Sequence, residues 1–322
     1  MKLGMTILPS IAALSLGMSS VLATPAIAGG DPVKIERPQS WKGINQVVIG
    51  QFSVVFFTKK VDYDGGGFLS SGNSAKAIGQ LSGVTNEQFL AITNGIYADF
   101  LSQLGQHGIT VADDAGFRAD HYYAKIRPEV QGNNASVPLK KQDHADALVF
   151  WPEALGRNTN VMVPLRLMDM NMGNAYTAEY NYAKTSGTPV LNVIYYVDFA
   201  KPAKSDGGGL FQSIKVSAGL AISPFGSQFM LVGADGKMTR MLLQTPMEEG
   251  GDFANIEDIT SGLTKATRVA SVLGAGIFGG GSGTMSSRFN YHVTDPATFA
   301  AKTQSAATRT SDLFIRLMEA NR

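Results

Sequence analysis

The sequence predicts an α/β (α+β) protein, with an antiparallel-rich mixed sheet that includes a β-meander and is packed by two long amphipathic helices. Three observations point there. A β-branched and aromatic run, Val47-Val48-Ile49 then Val54-Val55-Phe56-Phe57, has the character of a buried strand. Phe89, Leu90, Thr93, Ile96, Tyr97, Phe100, Leu101 and Leu104 recur at three- and four-residue steps, as one face of a helix does. Further on the period falls to two, with turn residues between the alternating runs.

In chain order, Lys2 and a mostly apolar run from Leu3 to Leu22 precede Ala26-Ile27-Ala28. This is the pattern of a secretory signal peptide over 1–28, with cleavage after Ala28. A polar, Pro-containing lead-in segment follows over 29–43, and 44–322 reads as a single α/β domain. Ile44 to Phe57 is the first strand. Asp64 to Ala77, with Gly65-Gly66-Gly67, reads as a mobile loop. Thr85 with Gln88 three residues later starts a helix over 86–105 through a capping box. Gly105 and Gly108 end it, and Ile109-Thr110-Val111 begins another strand.

Beyond Asp143 the alternation sets in. Ala145 to Trp151 is a short apolar strand. Val161 to Met168 and Tyr176 to Tyr182 both alternate, which predicts a hairpin turning at Met172-Gly173-Asn174. Leu191 to Phe199 and Ile214 to Ile222 form the next pair. Phe229 to Val232 and Met238 to Leu243 flank Ala234-Asp235-Gly236, a strong hairpin signal. The set is expected to bury one face. Glu248 to Asp258 is acidic and reads as a surface loop. Ile259 to Phe278 is an apolar, small-residue run interrupted by Lys265 and Arg268. Phe289, Tyr291 and Val293 mark a last strand. Asp295-Pro296 then opens a closing helix over 296–319. The stripe Phe89, Ile92, Ile96, Phe100, Leu104 is expected to cover the strand Val47 to Phe57.

Composition narrows the function classes. Apolar residues make up 44% of the chain, enough for a core without covalent staples. The formal charge is +1, so nothing argues for nucleic acid or an acidic membrane as partner. Charged residues are only 16% and Gly numbers 36, which suits a secreted β-rich protein or one that packs on other copies. Cysteine is absent. That removes a thiolate nucleophile, a Cys-ligated metal and a lipid-modified cysteine, so the chain is not expected to be a bacterial lipoprotein. The small-x-small site without disulfides favours a Gram-negative periplasm.

No motif names a reaction. Two of the four histidines lie in Asp120-His121 and Asp143-His144, with Asp146 nearby. Adjacent strand residues point to opposite faces, so neither dipeptide is a ligand pair. Zinc spacings are missing. Gly281-Ser282-Gly283 is followed by Thr284, which breaks the serine-hydrolase frame. Gly274 to Gly283 lacks the Gly-Lys-Ser/Thr ending of a phosphate loop. Asp62-x-Asp64 lacks the later ligands of a calcium loop. Asn134-Ala135-Ser136 is a glycosylation sequon, meaningful in a eukaryotic source. No catalytic residue, metal or cofactor is therefore expected. The tyrosine row Tyr176, Tyr180, Tyr182, with Tyr195 and Tyr196 on the next strand, is the surface candidate. Such rows pack a core or form a platform for a partner or glycan.

The outline of strand, long helix ending in Gly, strand, hairpins and closing helix resembles the curli-secretion-channel type of periplasmic α/β domain. Val47 to Phe57, Thr85 to Val111 and the hairpin Val190 to Ile222 carry the resemblance. It implies ring oligomers whose hairpins enter an outer membrane, although the lipidated cysteine usual there is missing. The expected function is that of an exported, non-enzymatic cell-envelope protein, a structural, assembly or secretion-accessory component acting through protein–protein contacts. Its partners would be further copies or an envelope protein. The alternatives are a soluble periplasmic binding protein using the tyrosine face, and an exported hydrolase using His144 with Asp143 or Asp146.

Overall fold

The structure, a computed structural model, describes residues 31–65, 74–123, 134–139, 145–155, 170–201, 204–205, 214–261 and 284–321. Its first half comprises β1 (Val33–Ile35), β2 (Gln46–Gly65), β3 (Ser74–Ser82), α1 (Asn86–Gln106), β4 (Thr110–Val111), α2 (Ala115–Arg118), β5 (Asn134–Leu139), β6 (Ala145–Phe150) and α3 (Met170–Ser186). Its second half comprises β7 (Val190–Ala200), β8 (Lys204–Ser205), β9 (Ile214–Lys215), β10 (Ala218–Ile222), β11 (Gln228–Val232), β12 (Met238–Leu243), β13 (Met247–Glu249), β14 (Ala254–Asp258), β15 (Thr284–Val293) and α4 (Pro296–Ala320). The class is the expected one, a mixed α/β fold around one large mixed sheet.

The main strand order is β1-β12-β11-β7-β2-β3-β15-β14. β2 is its axis. Along Val48 to Phe56 it runs parallel to β7, and on its other side it pairs antiparallel with β6. Further along, Lys59 to Gly65 pairs antiparallel with β3. β3 in turn runs parallel to β15, from Ser74↔Thr284 to Ser82↔His292. The lead-in segment joins the sheet: Val33 to Ile35 pairs with β12, and Trp41 is completely buried.

Helices cover the front of the sheet as the stripe predicts. Thr85 and Gln88 exchange both hydrogen bonds of the capping box, which starts α1. Phe89, Tyr97 and Phe100 then meet Phe56 and Phe52 of β2, with ring centroids 4.5, 4.9 and 5.4 Å apart. Asp295 caps α4 through the amides of Ala297 and Thr298. Phe314 of α4 stacks on Phe229 of β11 at 4.5 Å. The Tyr195 hydroxyl of β7 meets Ser311 Oγ at 2.7 Å.

Several expectations are corrected. β7 is buried along nearly all its length, on both faces. A strand covered on both sides needs apolar residues throughout. Of the loop expected over 64–77, Asp64 and Gly65 belong to β2 and Ser74 to Ala77 to β3, and 66–73 lie outside the described residues. The acidic stretch 248–258 contains β13 and β14. Both are edge strands, and edge strands carry charge because one side meets water. The β11–β12 turn is a three-residue loop. Gly233 N donates to Lys237 O and Gly236 N to Gly233 O, with Gly236 at φ 74°. This is a type I turn closed by a left-handed glycine, longer than the two-residue turn that Asp-Gly suggests. The segments 161–169 and 262–283 lie outside the described residues.

Candidate functional site: the tyrosine helix and the polar pair beneath it

The largest correction falls on the tyrosine row. Tyr176, Tyr180 and Tyr182 lie on helix α3, not on a strand. A helix of period 3.6 directs Ala175, Ala178, Glu179 and Ala183 to one side, and all four are buried. A strand would set Tyr176, Ala178, Tyr180 and Tyr182 on one face and Thr177, Glu179 and Asn181 on the other, whereas the helix groups Glu179 with Ala178. Two signals in the sequence mark the helix end: Gly187, at φ 72°, and Pro189 just after it.

Alanines let α3 approach the back of the sheet closely. Ala178 and Ala183 pack with Val48, Val190 and Val232, and with Phe117 of α2. The tyrosines stand at the margin of this contact, each half-buried. Tyr176 Oη donates to Gly236 O at 3.3 Å. The Tyr180 ring lies so near Gly236 that a Cβ there would come within 2.3 Å of it. Together these two rings clamp the β11–β12 turn. Tyr182 meets Phe117 edge-on at 5.6 Å. Lys184 Nζ donates to Tyr180 Oη and sits 5.5 Å from that ring's centroid. Tyr195 and Tyr196 are fully buried in β7, and they point to opposite faces.

Beneath the alanines lies a polar pair that the alternation did not reveal. Asn192 of β7 donates from Nδ2 to Glu179 Oε2 at 3.0 Å. Glu179 Oε1 and Asn192 Oδ1 are buried and have no hydrogen-bond partner among the described residues. Gln51, opposite Asn192 on β2, donates to Ser53 Oγ at 3.2 Å and leaves its own Oε1 unpaired. Burial pushes the Glu179 carboxyl up to about 8, and the hydrogen bond from Asn192 offsets only part of this. Gly50, where β2 bulges against β7, makes room for the pair. A Cβ there would lie 2.5 Å from Val190 Cγ1, 2.6 Å from Asn192 Oδ1 and 3.4 Å from Glu179 Oε1.

The other candidates are dispersed. His107 pairs with Glu319 at 2.9 Å, joining the C-terminal ends of α1 and α4. His121 is exposed beside Tyr122. His292 meets Ser82 Oγ at 3.2 Å. Asp146 pairs with Lys59 at 3.5 Å. The side chains of Asp62, Asp64, Asp143, His144 and Ser282 lie outside the described residues. Among the described residues no three His, Asp or Glu side chains are grouped to hold a metal ion. Among them, too, no helix is long and apolar enough to cross a membrane.

Two clefts open elsewhere. One, of about 260 Å³, is lined by Lys60, Asp198, Lys201 and Glu248. These charges pair with each other, Lys60 with Asp198 at 2.6 Å and Lys201 with Glu248 at 3.6 Å. The other, of about 360 Å³, lies between Gln39 to Gln46, Gly187 to Pro189 and the β11–β12 turn. Comparison of the chain with protein-family models, with curated proteins and with solved structures finds no match.

Proposed function

We propose that this protein is an exported component of a cell envelope, with a structural, assembly or secretion-accessory role exercised through protein–protein contacts. The observation that supports this most is a set of two antiparallel strand pairs held side by side. β2 pairs with β3 and β14 with β15, and the parallel β3–β15 ladder aligns the two pairs. Gly65, Ser74 and Thr284 consequently fall in register at one end of the sheet. The outer strand of this four-stranded arm, β14, ends the strand order and pairs only with β15 among the described strands.

An open strand edge is a template for pairing with another chain. Glu257 is exposed on β14. Its charge opposes indiscriminate pairing and favours a partner edge that carries cations. The opposite end of the strand order is β1, where Lys34 is exposed. An edge of one copy meeting the other edge of the next is a head-to-tail contact, which builds rings or filaments. The signal-like start and low charge of the sequence support the exported part of this reading.

The test is expression of the whole chain in a Gram-negative host, followed by envelope fractionation and light scattering of the purified protein. The reading expects an N-terminus at Gly29 and oligomers that dissociate in the Glu257→Lys variant. A strict monomer at every concentration, or a chain retained uncleaved in the cytoplasm, overturns it.

A further inference from the structure

Among the described residues, four buried oxygens on the back of the sheet lack hydrogen-bond partners: Glu179 Oε1, Asn192 Oδ1, Gln51 Oε1 and Tyr196 Oη. Buried polar groups without partners are rare in folded proteins and ask for an explanation. Two of the four share one. Asn192 Nδ2 already donates to Glu179 Oε2 at 3.0 Å. The remaining oxygens of the same two groups, Oε1 and Oδ1, both face the space above Gly50. Two bare acceptors brought together in a buried site repel each other. A single proton between them turns the repulsion into a second hydrogen bond.

We propose that Glu179 is a neutral carboxylic acid that donates from Oε1 to Asn192 Oδ1 while Asn192 Nδ2 donates to Oε2, and that this two-bond ring is a proton-operated latch holding α3 on the sheet.

Among the described residues, Asn192 is the one hydrogen-bond donor to the Glu179 carboxyl. Gly50 of β2 and Asn192 of β7 adjoin Glu179, and the apolar cluster under α3 is made by Val48, Phe117, Val190 and Val232 with Ala178 and Ala183. None of these side chains carries a charge. Toward α2 stands Arg118, whose Nε and Nη1 are bonded to Asp114 and to the Tyr123 hydroxyl and whose buried Nη2 has no hydrogen-bond partner among the described residues. Tyr123 is held above its ordinary range, chiefly by burial, with Glu179 a minor contributor. On α3 itself, Lys184 is exposed and bonded to Tyr180. On the β11–β12 turn, Lys237 is paired with Asp235 at 3.1 Å. Burial is the largest influence on Glu179, and no charge offsets it. A hard cation in place of the proton would need about six to eight oxygens in the case of calcium, more than these side chains present.

Linkage gives the direction of the effect. Below the ordinary carboxyl range of about 4.5 the group is protonated whether the chain is folded or not. Between there and about 8 only the folded chain keeps the proton. Folding then takes up a proton, so the stability from this pair falls as pH rises across that window. Above it the folded carboxyl ionises, the Oε1–Oδ1 bond is lost, and α3 is left over a buried charge.

Glu179→Gln is the discriminating variant, because an amide supplies the second donor without titrating. The experiment combines infrared spectra of the purified whole protein with thermal unfolding from pH 5 to pH 9, for wild type, Glu179→Gln and Glu179→Ala. At pH 7 the wild type is expected to show a carboxylic-acid carbonyl band that Glu179→Gln lacks. Its Tm should fall relative to that of Glu179→Gln as pH rises, and Glu179→Ala should melt below both at pH 5. Absence of the band at pH 7 overturns the proposal. So does a Glu179→Gln protein that melts below wild type at every pH. A wild-type Tm that rises with added calcium or sodium while the band is absent assigns the carboxylate to a cation instead, and also overturns it.

Discussion

The two faces of the central sheet are made by alternate residues of the same strands, yet they are held by different physics. In front, Phe52, Phe56 and Phe229 meet rings from α1 and α4. Behind, Tyr196 meets Phe57 and Phe225 at one end, but under α3 the strands present Asn192 and Gln51, and a helix of alanines and tyrosines carries one buried acid down to them. A dry aromatic face gains stability in proportion to the area it removes from water, and pH does not enter. A buried acid–amide pair contributes only while every donor and acceptor is matched, so one proton decides its sign. Neighbouring side chains on one strand can therefore differ in what perturbs them.

Three substitutions sharpen this contrast. The largest loss is expected for Phe229→Ala. It removes a fully buried ring that stacks on Phe314 and meets Phe100 edge-on. Denaturant unfolding should show about 3–5 kcal/mol less stability, equally at pH 5 and pH 9. Gly50→Ala comes next. Its methyl would press on Val190 and Asn192 Oδ1, forcing the acid and amide apart, at a cost of about 1–3 kcal/mol. This loss should be greater at pH 5, where the ring is intact, than at pH 9. Thr85→Ala is the smallest. It removes the side-chain half of the α1 capping box, worth about 1 kcal/mol, with no dependence on pH over the same range. A front-face variant whose loss varied with pH as that of Gly50→Ala does would erase the distinction between the faces.

Much of the front face was legible in the sequence. The spacing from Phe89 to Leu104, the Thr85/Gln88 box and Asp295-Pro296 all report local rules that tertiary contacts reinforce. The back face was harder to read because two periods compete over 176–182. Tyrosines at 176, 180 and 182 satisfy an alternation of two, whereas Ala175, Ala178, Glu179 and Ala183 satisfy a helix. Aromatic residues outweigh alanines in any hydrophobic pattern, so the strand reading prevailed. The alanines matter because they are small enough to bring a helix close to a sheet. Glu179 was hidden for a related reason: a lone carboxylate reads as solvent-facing unless the chain supplies a partner. Its partner, Asn192, lies within an apolar run on β7. An Asn inside a fully buried strand was the one available sign that something polar packs above it. Edge strands such as β13 and β14 escaped notice because their charge is the same signal that marks loops.

The most direct test of the account is hydrogen exchange followed segment by segment in the whole protein at pH 6 and pH 9, corrected for the intrinsic effect of pH on exchange. If one proton fastens the back of the sheet and aromatic packing the front, α3 loses protection at pH 9 while α1 and α4 keep theirs. Equal loss across α1, α3 and α4, or no loss in α3, would contradict it.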